Sequence, residues 1–249
     1  MQHHFRAFSF VDRIRAFTPG QHIRGAYQVP VGADVFPLSL VAEAVGQLAA
    51  WAAMATVGFT HRPVAGLAGR IELGTGPQPG HWLELEAELE SVDAEAVAYA
   101  GRARAGGEPV IRLEHCVGPM LPVVEFDDPQ ALRERFELLR GGGATPGLFG
   151  GLPELTPVPA ESEPGRLMRA TLAVPAQAPF FADHFPRRPV FPGSLLMHAN
   201  LQLAAALAAQ LPPPAAGGRW TVGFVADMKL RSFIPPGSVL ALEVRLDEL

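Results

Sequence analysis

Two stretches of the chain are apolar for longer than a strand requires: "VFPLSLVAEAVGQLAAWAAMATVGF" from Val35 and "SLLMHANLQLAAALAAQL" from Ser194. Each predicts a helix that is apolar nearly all round and therefore enclosed by its own protein. Both approach the length of a membrane span, but Glu43 and Gln47 interrupt the first and His198, Asn200 and Gln202 the second. With alanine rather than leucine or isoleucine dominating, buried core helices are expected. The two stretches are also alike. "VFPLSLVAEAVGQLAA" at 35–50 lies over "VFPGSLLMHANLQLAA" at 190–205 with about ten of sixteen positions identical, at an offset of about 155, so the chain reads as a duplication.

Alternating stretches surround each helix and predict strands. "HIRGAYQVPV" precedes the first helix, and "LAGRIEL", "HWLELEAELESV", "AVAYAGRARAG" and "PVIRLEHCVG" follow it. "RLMRATLAVPA" precedes the second, and "WTVGFVADMKLRSF" and "VLALEVRLDEL" follow it. Each unit is thus one long helix with an antiparallel sheet. Between them, "DDPQALRERFELLR" predicts an exposed helix with Asp128 as N-cap and Pro129 in its first turn, leading into a Gly/Pro-rich connector. The expected organisation is a first unit at 1–121, a linker helix and connector at 122–143, and a second unit at 144–249. Nothing after the last strand matches the two closing strands of the first unit, which leaves a sheet edge to be covered by further chain or by another surface.

A length of 249 residues suits one large domain or two small ones, and 48% hydrophobic against 18% charged residues is a globular composition. A net charge of −5 argues against nucleic acid as a partner. Cys116 is the single cysteine, which excludes an internal disulfide and a cysteine-based metal cluster and suits the cytoplasm. Its simplest role is a buried small hydrophobe. The start of the chain lacks the uninterrupted apolar run of a signal peptide. His115 has no further ligands at metal spacing, and His3, His4, His22, His61 and His81 are scattered as surface residues are. Ser39 and Ser194 stand at matching places near the helix starts, where hydroxyls often cap. Lys229 is the only lysine among many arginines, a bias of GC-rich bacterial genomes.

Two residues stand out on chemical grounds. Glu43 is a carboxyl group in an all-round apolar helix, expensive there unless bonded or protonated, and Gln47 one turn later can hold it in orientation. A carboxylate that only reaches solvent at the helix start is the alternative. His184 lies in "HFPRRPVFPG", a proline-stiffened loop that enters a helix at Gly193. Such a loop can present an imidazole beside free helix N-terminal amides, although a loop histidine is often structural.

"HFPRRPVFPGSLLMHANLQ" resembles the signature of the bacterial beta-hydroxyacyl-acyl carrier protein dehydratases, and "FSFVDRI" at 8–14 is similar to a segment near that family's start. The resemblance implies an α+β hotdog fold, a long helix wrapped in a curved antiparallel sheet, here doubled into an internal pseudo-dimer that could assemble further. It also implies sites built from the histidine of one hotdog and the acid of the other. His184 with Gly193 from the second half and Glu43 with Gln47 from the first then complete one site. The opposite set, Val29, Leu38 and His198, is degenerate. The implied activity is a hydro-lyase reaction, dehydration of 3-hydroxyacyl thioesters in fatty acid or polyketide biosynthesis, with enoyl isomerisation possible in addition. His184 would be the base, Glu43 an acid whose pKa its apolar surroundings raise, and the Gly193 N–H the oxyanion donor. No metal or resident cofactor is expected, the substrate being carried on the phosphopantetheine of acyl carrier protein or coenzyme A. Arg187 and Arg188 would meet the carrier or the phosphate, or stand as solvated arginines. Membrane is not an expected partner. The competing readings are a hotdog thioesterase with Glu43 activating water, and a non-catalytic binding subunit.

Overall fold

A computed structural model describes residues 5–32, 35–151, 155–214 and 217–248. His3 and His4 lie outside the described residues. In chain order the elements are β1 (Arg13–Thr18), β2 (His22–Gln28), α1 (Leu38–Thr56), β3 (His61–Pro63), β4 (Leu67–Leu73), β5 (Trp82–Val92), β6 (Ala96–Ala105) and β7 (Glu108–Pro122). Then follow α2 (Pro129–Arg140), β8 (Val158–Pro159), β9 (Leu167–Ala173), α3 (Gly193–Ala208), β10 (Phe224–Lys229) and β11 (Val239–Arg245).

The larger sheet runs β1-β2-β5-β6-β7-β4-β10, antiparallel throughout, with β3 pairing β7 from outside this path. Its curvature encloses α1. In β5, Leu83, Leu85, Ala87 and Leu89 point inward onto the helix while Glu84, Glu86 and Glu88 alternate away from it. Outside, Glu86 bridges Arg24 on one neighbour strand and Arg102 on the other, a ladder of charge that costs the solvated face nothing. Inside, the small residues of α1 allow a close approach. At Gly101 in β6 a β-carbon would stand 2.4 Å from Val45 Cγ1 and 2.9 Å from the Glu86 carbonyl, so this strand residue must be glycine for the helix to seat between Glu43 and Gln47. This is the α+β hotdog arrangement.

The second half is joined to the first through the sheet. β10 pairs with β4 in a register that sets Ala226 opposite Arg70, residues separated by nearly the same offset as the repeated helices. Each strand therefore meets its own counterpart, as across a twofold axis. α3 packs against α1 on one side and against β9 and β11 on the other, in a second sheet ordered β11-β9-β8. Among the described residues no strand occupies the place between β11 and β10 that β6 and β7 fill between β5 and β4.

Three differences from the expected elements have physical causes. β1 and β3 add strands that short or weakly alternating sequence does not announce. α2 is capped as its sequence indicates, Asp128 accepting from Gln130 N–H at 3.0 Å. Yet it is not an exposed helix: Leu132, Phe136 and Leu139 are buried, and Phe136 packs against Trp51, Phe17 and Phe59. Ser39 and Ser194 do not cap. Pro37 and Pro192 hold the N-cap positions, and both hydroxyls are buried with no hydrogen-bond partner among the described residues.

The connector contributes Phe149, which enters an aromatic cluster with Phe10 and Phe36. Beside this cluster Asp12 is buried, accepting from Gln28 N–H at 2.8 Å. Burial pushes its carboxyl up to about 6, against the backbone hydrogen bond and the charge of Arg135. A raised carboxylate pKa means that the unfolded chain ionises first, so folding loses stability as pH rises from the unfolded value through about 6. Asp12→Asn, which keeps an acceptor for Gln28, is expected to raise stability above pH 7 by on the order of 2 kcal/mol. The gain disappears toward pH 4, which paired thermal melts at the two pH values read directly.

Candidate active site

Glu43 and Gln47 sit one turn apart on α1 and line the same cavity as Val97 and Tyr99 of β6. Gln47 Nε2 donates to Glu43 Oε1 at 3.0 Å and to the Phe8 carbonyl at 3.0 Å, and its Oε1 accepts from Phe10 N–H at 2.8 Å. An amide with its acceptor and both donor directions constrained cannot rotate freely, so the carboxyl it holds is fixed in turn.

His184 follows a 3-10 turn at Pro179–Ala182 whose Phe180 and Phe181 are buried. Its Nδ1 lies 2.8 Å from the Val190 carbonyl, which can only accept. The proton therefore resides on Nδ1, and Nε2 is left with a lone pair. Burial holds the imidazole below its ordinary 6.5; the Glu43 charge and the Val190 hydrogen bond oppose this, and the Arg62 charge adds to it. The next residue, Phe185, has φ 67°, a left-handed conformation rare for an aromatic residue. It is retained because its ring is gripped, 5.1 Å from the Phe126 ring and 4.2 Å beneath the Arg62 guanidinium.

Both His184 and Glu43 line one cavity of about 240 Å³. Gly193, Gln47, Arg62 and Asp183 also line it, and its further wall is apolar, with Trp51, Met54, Ile71, Val97 and Leu113. Gly193 is the first residue of α3, where first-turn amides have no intrahelical acceptor. A β-carbon at Gly193 would lie 2.4 Å from Leu230 Cδ1, so its lack of a side chain keeps the helix entrance open against the second half's own chain. Cys116 forms part of the wall, buried, its thiol pushed up to about 11 by that burial and so unreactive.

Val29, Leu38 and His198 are elsewhere. Val29 is wholly buried, its N–H bonded to the His81 carbonyl; Leu38 begins α1; His198 is half-buried on α3, and burial lowers its imidazole. None of the three lines the cavity. Arg187 and Arg188 are exposed but engaged with their own chain. Arg187 donates to the Val124 carbonyl, and Arg188 lies 4.8 Å over the Phe233 ring and 3.9 Å from Glu125.

Arg62, Asp127 and Asp183 are the site residues that no motif marks. Arg62 is buried near His184, 3.4 Å from Asp127, with its Nε lacking a hydrogen-bond partner among the described residues. Burial lowers it to about 10 while Asp127 holds it charged. The pairs Arg62–Asp127 and Asp183–Phe8 join distant segments, and the only sequence signal is their position, Arg62 directly before a proline and Asp183 directly before His184.

The protein-family model of the FabA-like domain matches residues 156–249. The matched stretch, most of the second half, is thus similar to a FabA-like domain. A curated relative, the 3-hydroxyacyl-[acyl-carrier-protein] dehydratase FabZ of Roseiflexus castenholzii, is 36% identical over 92 residues, 36% of this chain and 62% of that protein. The chain thus spans about three fifths of the relatives it matches. Among solved structures, the fluoroacetyl-CoA thioesterase FlK overlays 48% of this chain and 98% of its own at a TM-score of 0.38 and 13% identity. The dehydratase heterocomplex ApeI:P from Xenorhabdus doucetiae overlays 45% of this chain and 83% of its own at 0.36 and 10%. The FabA-like stretch contains His184, Gly193 and their proline-bounded loop, whereas Glu43 and Gln47 lie outside it.

If Leu230 is what excludes a side chain at position 193, Gly193→Ala will disturb the helix entrance and Leu230→Ala will relieve it. The single variant is expected to melt lower than the double variant, measured by thermal unfolding, with the Leu230→Ala single as reference. A Gly193→Ala protein as stable as the parent contradicts this.

Proposed function

We propose that this chain dehydrates 3-hydroxyacyl thioesters through a single site composed of His184 from the FabA-like half and Glu43 from the first half. The observation that carries the reading is that a neutral imidazole with Nε2 free and a carboxyl group held by Gln47 line one apolar-walled cavity beside a helix N-terminus. The dehydratase relatives support the same chemistry.

In this reading His184 Nε2 takes the α-proton of the thioester. The electron pair of the broken C–H bond moves into the Cα–Cβ bond as the Cβ–O bond breaks, and the departing hydroxyl takes the proton of Glu43 to leave as water. Return of the proton from His184 to Glu43 restores the starting state, and hydration of the enoyl product is the same path reversed. The Gly193 N–H is the donor to the thioester carbonyl, where charge gathers as the α-proton leaves. The apolar wall takes the acyl chain. Phosphopantetheine, on acyl carrier protein or coenzyme A, is the arm that brings the substrate, and Arg187 and Arg188, exposed on the loop that follows His184, are the residues read as meeting it. Fatty acid or polyketide synthesis is the pathway this implies. The set of Val29, Leu38 and His198, with neither base nor acid, is read as a vacated second site.

Incubation with a 3-hydroxyacyl thioester followed by mass analysis separates the chemistries. Loss of water is expected; a free acid as the sole product would instead indicate thioester hydrolysis. His184→Ala and Glu43→Gln are each expected to lower kcat by about 10²- to 10⁴-fold. Wild-type turnover in both variants would leave a binding role. Because burial holds His184 below 6.5, it is neutral at lower pH than a free imidazole. The rising limb of kcat/KM against pH should accordingly fall below 6.5, and a limb above that value counts against His184 as the base.

A further inference from the structure

The segment that precedes β1 is bound to both halves of the site at once. The backbone N–H groups of Phe5 and Phe8 donate to the carboxylate of Asp183, Phe8 to Oδ2 at 2.6 Å, and Ser9 Oγ lies 3.4 Å from the same oxygen. Asp183 immediately precedes His184. On its other side the Phe8 carbonyl accepts from Gln47 Nε2, the donor that also holds Glu43, and Phe10 N–H donates to Gln47 Oε1. One residue, Phe8, is therefore tied by its N–H to the loop of the base and by its C=O to the amide that orients the acid. Its ring also meets the His184 ring edge-on, centroids 5.8 Å apart.

This segment has no regular secondary structure, so hydrogen bonds and ring packing decide where it lies. Bonds from amides to a carboxylate are charge-assisted and stronger than amide–carbonyl bonds, which makes Asp183 its firmest attachment to the second half. The charge is answered from a third direction. Arg135 of α2 lines the same cavity, acts electrostatically on Asp183 and Asp12, and lies 5.1 Å over the Phe5 ring.

We propose that Asp183 is a positioning residue, which through Phe8 and Gln47 sets the spacing between the His184 imidazole and the Glu43 carboxylate. Its kinetic consequence rests on the dehydratase reading. A catalytic group displaced by about 1 Å can lose on the order of 100-fold in rate, so the effect falls on turnover more than on binding.

Asp183→Ala and the near-isosteric Asp183→Asn test this. In Asp183→Ala kcat is expected to fall about 10- to 100-fold with KM within about threefold, and Asp183→Asn, which keeps one acceptor oxygen, should recover part of the loss. Amide hydrogen exchange gives a readout independent of turnover. Phe10 N–H bonds Gln47 and not Asp183, so faster exchange at Phe10 in the folded variants reports that release at one end frees the other. Parental kcat in a folded Asp183→Ala protein, or a loss confined to KM, overturns the proposal. If the parent chain dehydrates no 3-hydroxyacyl thioester, the dehydratase reading fails while exchange still decides the coupling. Unchanged protection at Phe10 then refutes it, and faster exchange upholds it.

Discussion

The ladder between β4 and β10 is the constraint on which the remaining arrangement depends. It joins a strand of each half with counterpart opposite counterpart, and so fixes where α3 lies against α1. The cavity, the loop of His184 and the carboxyl of Glu43 are brought together by that placement. Without it His184 and Glu43 would not line one cavity. Backbone pairing of this kind is indifferent to side-chain identity, so the inner faces of the halves were free to diverge while their relative position stayed fixed.

Within that frame the site is held by polar contacts in an apolar setting, where each unpaired group is costly. Gln47 answers Glu43, the Val190 carbonyl answers His184, and Asp127 answers Arg62. The strained backbone of Phe185 is held in the same way: its ring is clasped by Arg62 of β3 and by Phe126, just after β7. The linker region therefore supports the second half's loop as well as connecting the halves.

The sequence made the two central helices legible because their apolar runs are long and because they repeat, and it marked Glu43 by the cost of a carboxyl in such a run. The proline-bounded loop likewise marked His184. What stayed illegible depends on contacts between distant segments. Nothing periodic distinguishes Asp183 from any loop aspartate, and the role of Arg62 exists only where Phe185 and Asp127 come to meet it. β3 is three residues ending in proline, too short to alternate. The buried face of α2 was hidden among charges, since three apolar side chains suffice once Trp51 and Phe59 supply the other surface. Serines near the helix starts looked like caps because sequence does not tell which residue is the last with extended backbone; prolines took that position at both helices.

The β4–β10 junction also has a consequence for concentration. Two separate subunits meeting through such strands would drift apart when scarce, and any site shared between them would be lost with the dimer. Here both strands belong to one polypeptide, so their encounter is intramolecular and its effective concentration is set by the connecting chain. Scarcity of the protein in its surroundings leaves the junction intact, and a substitution in either half strikes one side of it only once.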